Sequence, residues 1–209
     1  YKKYLNSIKK DSSESFYTSQ FPDSNISTNK QVYQSYINEN KYDTLPVIGI
    51  SWENAMNYCK WKTLNENHGN SIDVIYRLPN CSEWLSAYYY FKTNNIPNDM
   101  NQLFSDWLLN SKDESLPEIS KFMEDYFPYD YIYLHLKEDS PSMKRKFVIG
   151  DSFLYQQETL ANYRLYSFYS TKGYRQIGFR YIKEQVNQSK NAYPKGESYA
   201  VKVLKYWNL

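Results

Sequence analysis

Two thiols, Cys59 and Cys81, and two imidazoles, His68 and His135, are the cysteines and histidines of this sequence. A thiolate is the form of cysteine that attacks a substrate or binds a soft metal. Two histidines and one carboxylate would make a facial triad for iron, but neither histidine sits in a ligand motif. His68 falls in a polar loop and His135 in a strand-like run. The neighbouring carboxylates Glu124/Asp125 and Glu138/Asp139 read as solvated surface. No G-x-x-x-x-G-K-S/T, G-x-G-x-x-G, C-x-x-C or G-x-S-x-G occurs. Phosphate-cradling loops, dinucleotide turns, dithiol redox motifs and nucleophile elbows therefore have no carrier. Two cysteines are too few for a disulfide scaffold. One bridge in an oxidising compartment is the alternative to the expected pair of buried thiols. The expectation is no metal and no cofactor.

Composition narrows the classes further. The chain has 209 residues, one domain's worth. Its 25 Lys+Arg and 23 Asp+Glu leave a net charge of +2, which argues against non-specific nucleic-acid binding, since that needs a basic face. The 24 Tyr, 10 Phe and 5 Trp mark a folded protein, because disordered chains are poor in rings. No apolar run reaches the ~18 residues of a membrane span.

The elements that would position these residues follow from periodicity. Residues 1–24 are polar and serine-rich and read as an extended or partly ordered lead-in. Thr28 is the expected cap of a first helix, with Gln31 at the reciprocal position and Val32, Tyr33, Tyr36 and Ile37 on one face. Leu45–Ile50 reads as a buried extended segment. Ser51 then caps a helix whose stripe is Trp52, Ala55, Met56 and Cys59. Ile72–Tyr76 is strand-like. Asn80-Cys-Ser-Glu83 has the residue types of a capping box after Pro79, with Trp84, Ala87, Tyr88 and Phe91 as the next stripe. Cys81 falls in that helix's first turn, near the end that lowers a thiol pKa, and reads more simply as a partly buried residue of that turn.

Later segments are less regular. Phe104–Leu109 and Ile119–Tyr126 read as helical. Tyr131, Tyr133 and His135 alternate with Ile132, Leu134 and Leu136, the period of a strand. Lys144-Arg-Lys146 reads as a solvated turn. Phe147–Phe153 and Gln176–Ile182 read as two strands of one sheet. The tail 184–209 ends on Val201, Val203, Leu204, Tyr206 and Trp207, too apolar to stay undocked. The organisation expected is a lead-in over 1–25, a domain over 26–183 and an extension over 184–209.

Three segments, in order, resemble one superfamily. Leu45-Pro-Val-Ile-Gly-Ile-Ser-Trp-Glu-Asn-Ala-Met-Asn-Tyr-Cys-Lys-Trp61 is similar to a P-V-V-G-V-S-W-x-x-A-x-x-Y-C-x-W segment. Tyr76-Arg-Leu-Pro-Asn-Cys-Ser-Glu-Trp84 is similar to R-L-P-T-E-A-E-W. Ile177-Gly-Phe-Arg180, after Val148-Ile-Gly-Asp-Ser-Phe153, is similar to a closing G-G-S-W … G-F-R. The superfamily is that of the formylglycine-generating enzymes, the sulfatase-modifying factors. Ile26-Ser-Thr-Asn29 also resembles its early E-V-T-N. The resemblance implies an α+β fold, a variant of the C-type lectin fold with few helices and much irregular structure. It makes Trp52, Arg77, Trp84, Gly178, Phe179 and Arg180 structural motif residues.

Those enzymes bind copper through two cysteines between the G-S-W and G-F-R strands, whereas Gly150–Arg180 here holds none. The G-N-V-W-E-W segment linked to calcium binding is also missing. The resemblance thus implies a member without catalytic residues. The stretch Tyr42–Lys62 is similar to a segment of the gliding-motility and type IX secretion lipoproteins of Bacteroidota. It implies a structural, partner-binding subunit of an outer-membrane assembly facing the periplasm or the surface, anchored by a lipid N-terminal to Tyr1. The alternatives are a free lectin-like module, retroelement-diversified variable proteins included, and a metal-dependent enzyme. In lectin-like folds the late irregular loops bind. Tyr155, Tyr163, Arg164, Tyr166, Phe168, Tyr169 and Tyr174 lie there, and Tyr and Arg are the side chains enriched at interface hot spots. Tyr206 and Trp207 of the tail complete the expected interface.

Overall fold

The computed structural model describes residues 1–68, 71–96, 104–111, 145–150, 166–186 and 198–209. The chain divides into two compact units. The first is built from Tyr1–Phe21, Glu53–Leu78 and Tyr181–Leu209, the second from Pro22–Trp52 and Pro79–Arg180. The architecture is the mixed α+β expected, with two short sheets among the described residues. Among the described residues no helix is long and apolar enough to cross a membrane.

In the first unit the lead-in is helical, which corrects the extended reading. Helix α1 is Lys2–Asp11 and α2 is Glu14–Ser19. The polar composition hides two core residues, Tyr4 and Leu5, which tertiary packing holds in place. The Tyr4 hydroxyl donates to Gln20 Oε1 at 2.9 Å, and the Ser13 side chain caps α2 by accepting from the Phe16 N–H. Helix α4 (Trp52–Asn67) buries Ala55, Met56 and Cys59 as its stripe predicts. Strand β1 (Val74–Arg77) pairs antiparallel with β6 (Ile182–Gln185), Arg77 lying opposite Ile182. The expected boundary at residue 183 falls inside β6. The tail forms α6 (Tyr199–Trp207), capped by Ser198 and buried through Tyr199, Ala200, Val203 and Trp207. Lys60 of α4 donates to the Trp207 carbonyl at 2.9 Å, so the tail docks on its own chain.

The second unit holds α3 (Lys30–Asn38), α5 (Cys81–Thr93) and the strands β2 (Ser105–Ser111), β3 (Arg145–Ile149), β4 (Tyr166–Tyr169) and β5 (Ile177–Gly178), in a four-stranded sheet of order β4-β3-β2-β5. The cap of α3 is Asn29 and not Thr28. Its Oδ1 accepts from both Gln31 and Val32 N–H groups, a carboxamide one residue on outcompeting the hydroxyl. Helix α3 buries none of its residues, and Val32 is exposed. Leu45 is exposed too, so the extended segment before α4 is buried only from Gly49 onward. Gly49 has φ +74°, and its N–H and C=O bond to Ile177 O and Asp23 N. A Cβ built on Gly173 would collide with the Gly49 carbonyl. These two glycines let three chain segments cross at van der Waals distance.

The capping box of α5 is complete. Asn80 Oδ1 accepts from Glu83 N and Glu83 Oε2 accepts from Asn80 N, each at 2.8 Å. Phe104–Leu109, read as helical, is instead strand β2 (Ser105–Ser111). It pairs antiparallel with β3 (Arg145–Ile149) and parallel with β5 (Ile177–Gly178). Ser105, Asp106, Trp107 and Leu108 are all buried, so the strand is covered on both faces and loses the alternation that would mark it. Arg145 and Lys146 open β3 and do not form a turn. The sequence around Gln176–Ile182 is not one strand. It breaks at Phe179-Arg180 into β5 of this sheet and β6 of the other. Strand β4 (Tyr166–Tyr169) flanks β3. The expected helix Ile119–Tyr126 and the strand around Tyr131–Leu136 lie outside the described residues.

Candidate functional site

Both cysteines are free thiols and both are buried. Cys59 is fully buried on α4. Burial pushes its thiol well above the usual range, against the smaller opposing pull of Lys62 and Arg77. Cys81, the first residue of α5, packs with Trp84, Leu85, Leu108, Phe147 and Ile149. Each thiol is thus a packing element of a different unit. His68 sits in the turn after α4 with φ 51° and is exposed. His135, Glu124, Asp125, Glu138 and Asp139 lie outside the described residues. Among the described residues, no group of three His, Cys, Asp or Glu side chains is placed to hold a metal ion.

The expected aromatic interface divides in two. Phe168 lies 4.7 Å from Tyr174, ring to ring, and both meet Trp107 at 6.3 and 6.1 Å. Trp107 is fully buried and its Nε1 donates to Ile50 O at 2.8 Å. Tyr166 joins the same face of β4, tilted on Phe168. Burial, ahead of any charge, raises the pKa of Tyr174. These rings wrap the core tryptophan. Tyr169 points the other way, because successive strand residues alternate faces, and its side chain is exposed. The Arg145 guanidinium lies 4.5 Å from its centroid and the Lys172 ammonium 5.9 Å, both within cation–π range. Arg145 also donates to Ser167 O. Tyr155, Tyr163 and Arg164 lie outside the described residues. In the tail, Tyr206 is exposed and Trp207 is buried, its indole nitrogen having no hydrogen-bond partner.

The motif residues are structural anchors. Trp84 Nε1 and Arg180 Nε both donate to Asp106 Oδ2, at 2.9 and 2.8 Å. Trp52 Nε1 donates to Leu108 O at 2.8 Å, with the Lys146 ammonium 4.3 Å from its ring. Gly178 is buried in β5, where a Cβ would lie 2.8 Å from the Val47 carbonyl. Phe179 is half-buried. In the first unit, Arg77 is 1% exposed and donates from Nε to Glu184 Oε2 at 2.6 Å.

One cluster is missing from the sequence reading. Tyr1, Tyr4, Tyr58, Trp61, Tyr76 and Tyr181 make a cluster of rings in the first unit, each within 6 Å of at least one other, with Tyr76 joined through Tyr181. The Lys62 ammonium lies 4.6 Å from Tyr76 and 5.3 Å from Tyr181. The available signal was the i, i+3, i+4 spacing of Tyr58, Trp61 and Lys62 on α4. The partners from residues 1, 4, 76 and 181 carry no such mark.

Residues 1–95 match the family model of the sulfatase-modifying factor enzyme 1-like domain. No curated protein and no solved structure matches the chain. Residues 1–95, somewhat less than half of the chain, are thus similar to that domain, in keeping with the mixed α+β fold that the motifs imply. The match starts at residue 1, so the helical N-terminal segment is part of the matched region. The copper that formylglycine-generating enzymes use does not fit the donors present. A soft metal of that kind wants a thiolate pair, and the two thiols of this chain are buried, each in a different unit.

Proposed function

We propose that this chain is a catalytically inactive, partner-binding subunit of a bacterial envelope assembly, resembling the gliding-motility and type IX secretion lipoproteins. One observation carries the loss of catalysis. The whole chain offers two thiols, both buried on helix faces, and no cysteine stands between Gly150 and Arg180. Oxidation of a substrate cysteine through copper–thiolate chemistry has no ligand set here. Among the described residues of the expected interface, the exposed Tyr169 with its flanking Arg145 and Lys172, and the exposed Tyr206 of α6, face outward. Tyr and Arg in such settings are the usual interface anchors.

The test is a mild-detergent purification of the native protein from its own membranes, with mass spectrometry of what accompanies it. Stoichiometric outer-membrane and periplasmic proteins are the expected result, weakened by Tyr169→Ala and Tyr206→Ala. A lone protein with a stoichiometric transition metal, or one that converts a peptide cysteine to formylglycine, would overturn the reading.

A further inference from the structure

We propose that Tyr58 and Tyr181 form an oxidative cross-linking site, joining α4 to the segment that enters β6 through a dityrosine bond. The two rings lie 5.9 Å apart at 41°. They are 123 positions apart in sequence (181 − 58), yet both belong to the first unit. The Tyr181 hydroxyl is close enough to be among the groups that raise the Tyr58 pKa, after burial. Phenols whose hydroxyls approach one another also bring their ortho carbons together, and the ortho carbons carry the radical spin that couples.

The two rings have complementary roles. Tyr181 is 42% exposed, so a bulky oxidant reaches it and its phenolic proton leaves to water. Tyr58 is half-buried and touches Tyr1, Tyr4, Trp61 and Tyr181. An electron hole arriving anywhere on these rings has a contact path to Tyr58. Tyr1 and Tyr4 donate their hydroxyls to Gln20 O and Gln20 Oε1, amide oxygens too weakly basic to take the proton. Neutral radicals are therefore not trapped there.

The step balances with a peroxide as oxidant, delivered through a haem peroxidase. Each phenol gives up one electron and its hydroxyl proton. The peroxide takes the two electrons and two protons and leaves as two waters. The radicals join through their ortho carbons, and each displaced ring hydrogen returns to oxygen. The cross-linked chain is lighter than the starting chain by two hydrogens.

The experiment treats the purified whole chain, dilute, with hydrogen peroxide and a haem peroxidase. Dityrosine fluorescence is measured on the monomer fraction and the linked peptides are mapped by mass spectrometry. The expected result is a monomer lighter by two hydrogens, with peptides joined between residues 58 and 181. Tyr181→Phe keeps the ring and should reduce the monomer's fluorescence to background with an unchanged circular dichroism spectrum. Tyr76→Phe, which alters the other ring packed on Tyr181, should leave the 58–181 link in place. Absence of dityrosine, a link between any other pair, or cross-linking only between molecules would overturn the proposal.

Discussion

Trp84 and Arg180 share one acceptor. The indole Nε1–H and the guanidinium Nε–H both donate to Asp106 Oδ2. One oxygen thus ties α5, the central strand β2 and the residue that follows β5. Asp106 is 4% exposed, so losing it takes a buried acceptor from two donors at once. We expect Asp106→Ala to lower stability by about 3 kcal/mol, and Arg180→Ala by less, because its side chain is 32% exposed. A urea-denaturation cycle over the two positions should show non-additivity. Additive losses would mean that the shared oxygen does not couple them.

Arg77 and Glu184 make the corresponding tie in the first unit, linking β1 to β6 with side chains 1% and 14% exposed. Removing one member of so buried a pair takes the counter-charge from the other. Glu184→Ala should cost about 3 kcal/mol, and the exposed Lys183–Glu66 bridge on the same strand almost nothing. Equal losses at the two bridges, measured by thermal unfolding, would contradict this reading.

High pH should unfold the first unit. Burial raises the phenol pKa values of Tyr1, Tyr4 and Tyr58, the last to about 12. Below the unfolded value of about 10 both states hold these protons, so stability does not depend on them. Above it the unfolded chain releases protons that the folded chain keeps, and stability falls between pH 10 and about 12. Tyrosinate absorbance followed alongside circular dichroism should show a late phase coincident with unfolding. Titration of every tyrosine near 10 with the fold intact would refute it.

Thiol reactivity should be gated by unfolding. Cys59 is fully buried and Cys81 is 7% exposed. An aromatic disulfide reagent should modify neither in the native protein and both in denaturant, Cys81 reacting first as denaturant is raised. Prompt stoichiometric labelling of Cys59 in buffer would show a thiol available for chemistry, and with it the proposed loss of catalysis would weaken.

The local rules were legible where one helix face meets one core. The stripe Trp52, Ala55, Met56, Cys59 and the box Asn80/Glu83 depend on neighbours within one or two turns, and both stand in the structure. The register of the α3 cap slipped by a residue because Thr28 and Asn29 are both competent caps. Strand β2 was misread because a strand buried on both faces carries no alternation. Helix α1 was hidden because Tyr4 and Leu5 are its only buried side chains among lysines, asparagine and serine. Of the expected interface, Phe168 and Tyr174 turned out to wrap Trp107. Nothing in their own segment announces a partner about sixty residues upstream.

The sequence by itself determined the family motifs, the two main helices and the absence of a cysteine pair in the last third, since each is a matter of residue type at short range. Only the tertiary structure decided which tyrosines face outward, which carboxylate serves Trp84 and Arg180, and that Tyr1, Tyr58 and Tyr181 share one cluster. Those facts depend on contacts between residues far apart in the chain, and a contact of that kind leaves no periodic trace in the order of amino acids.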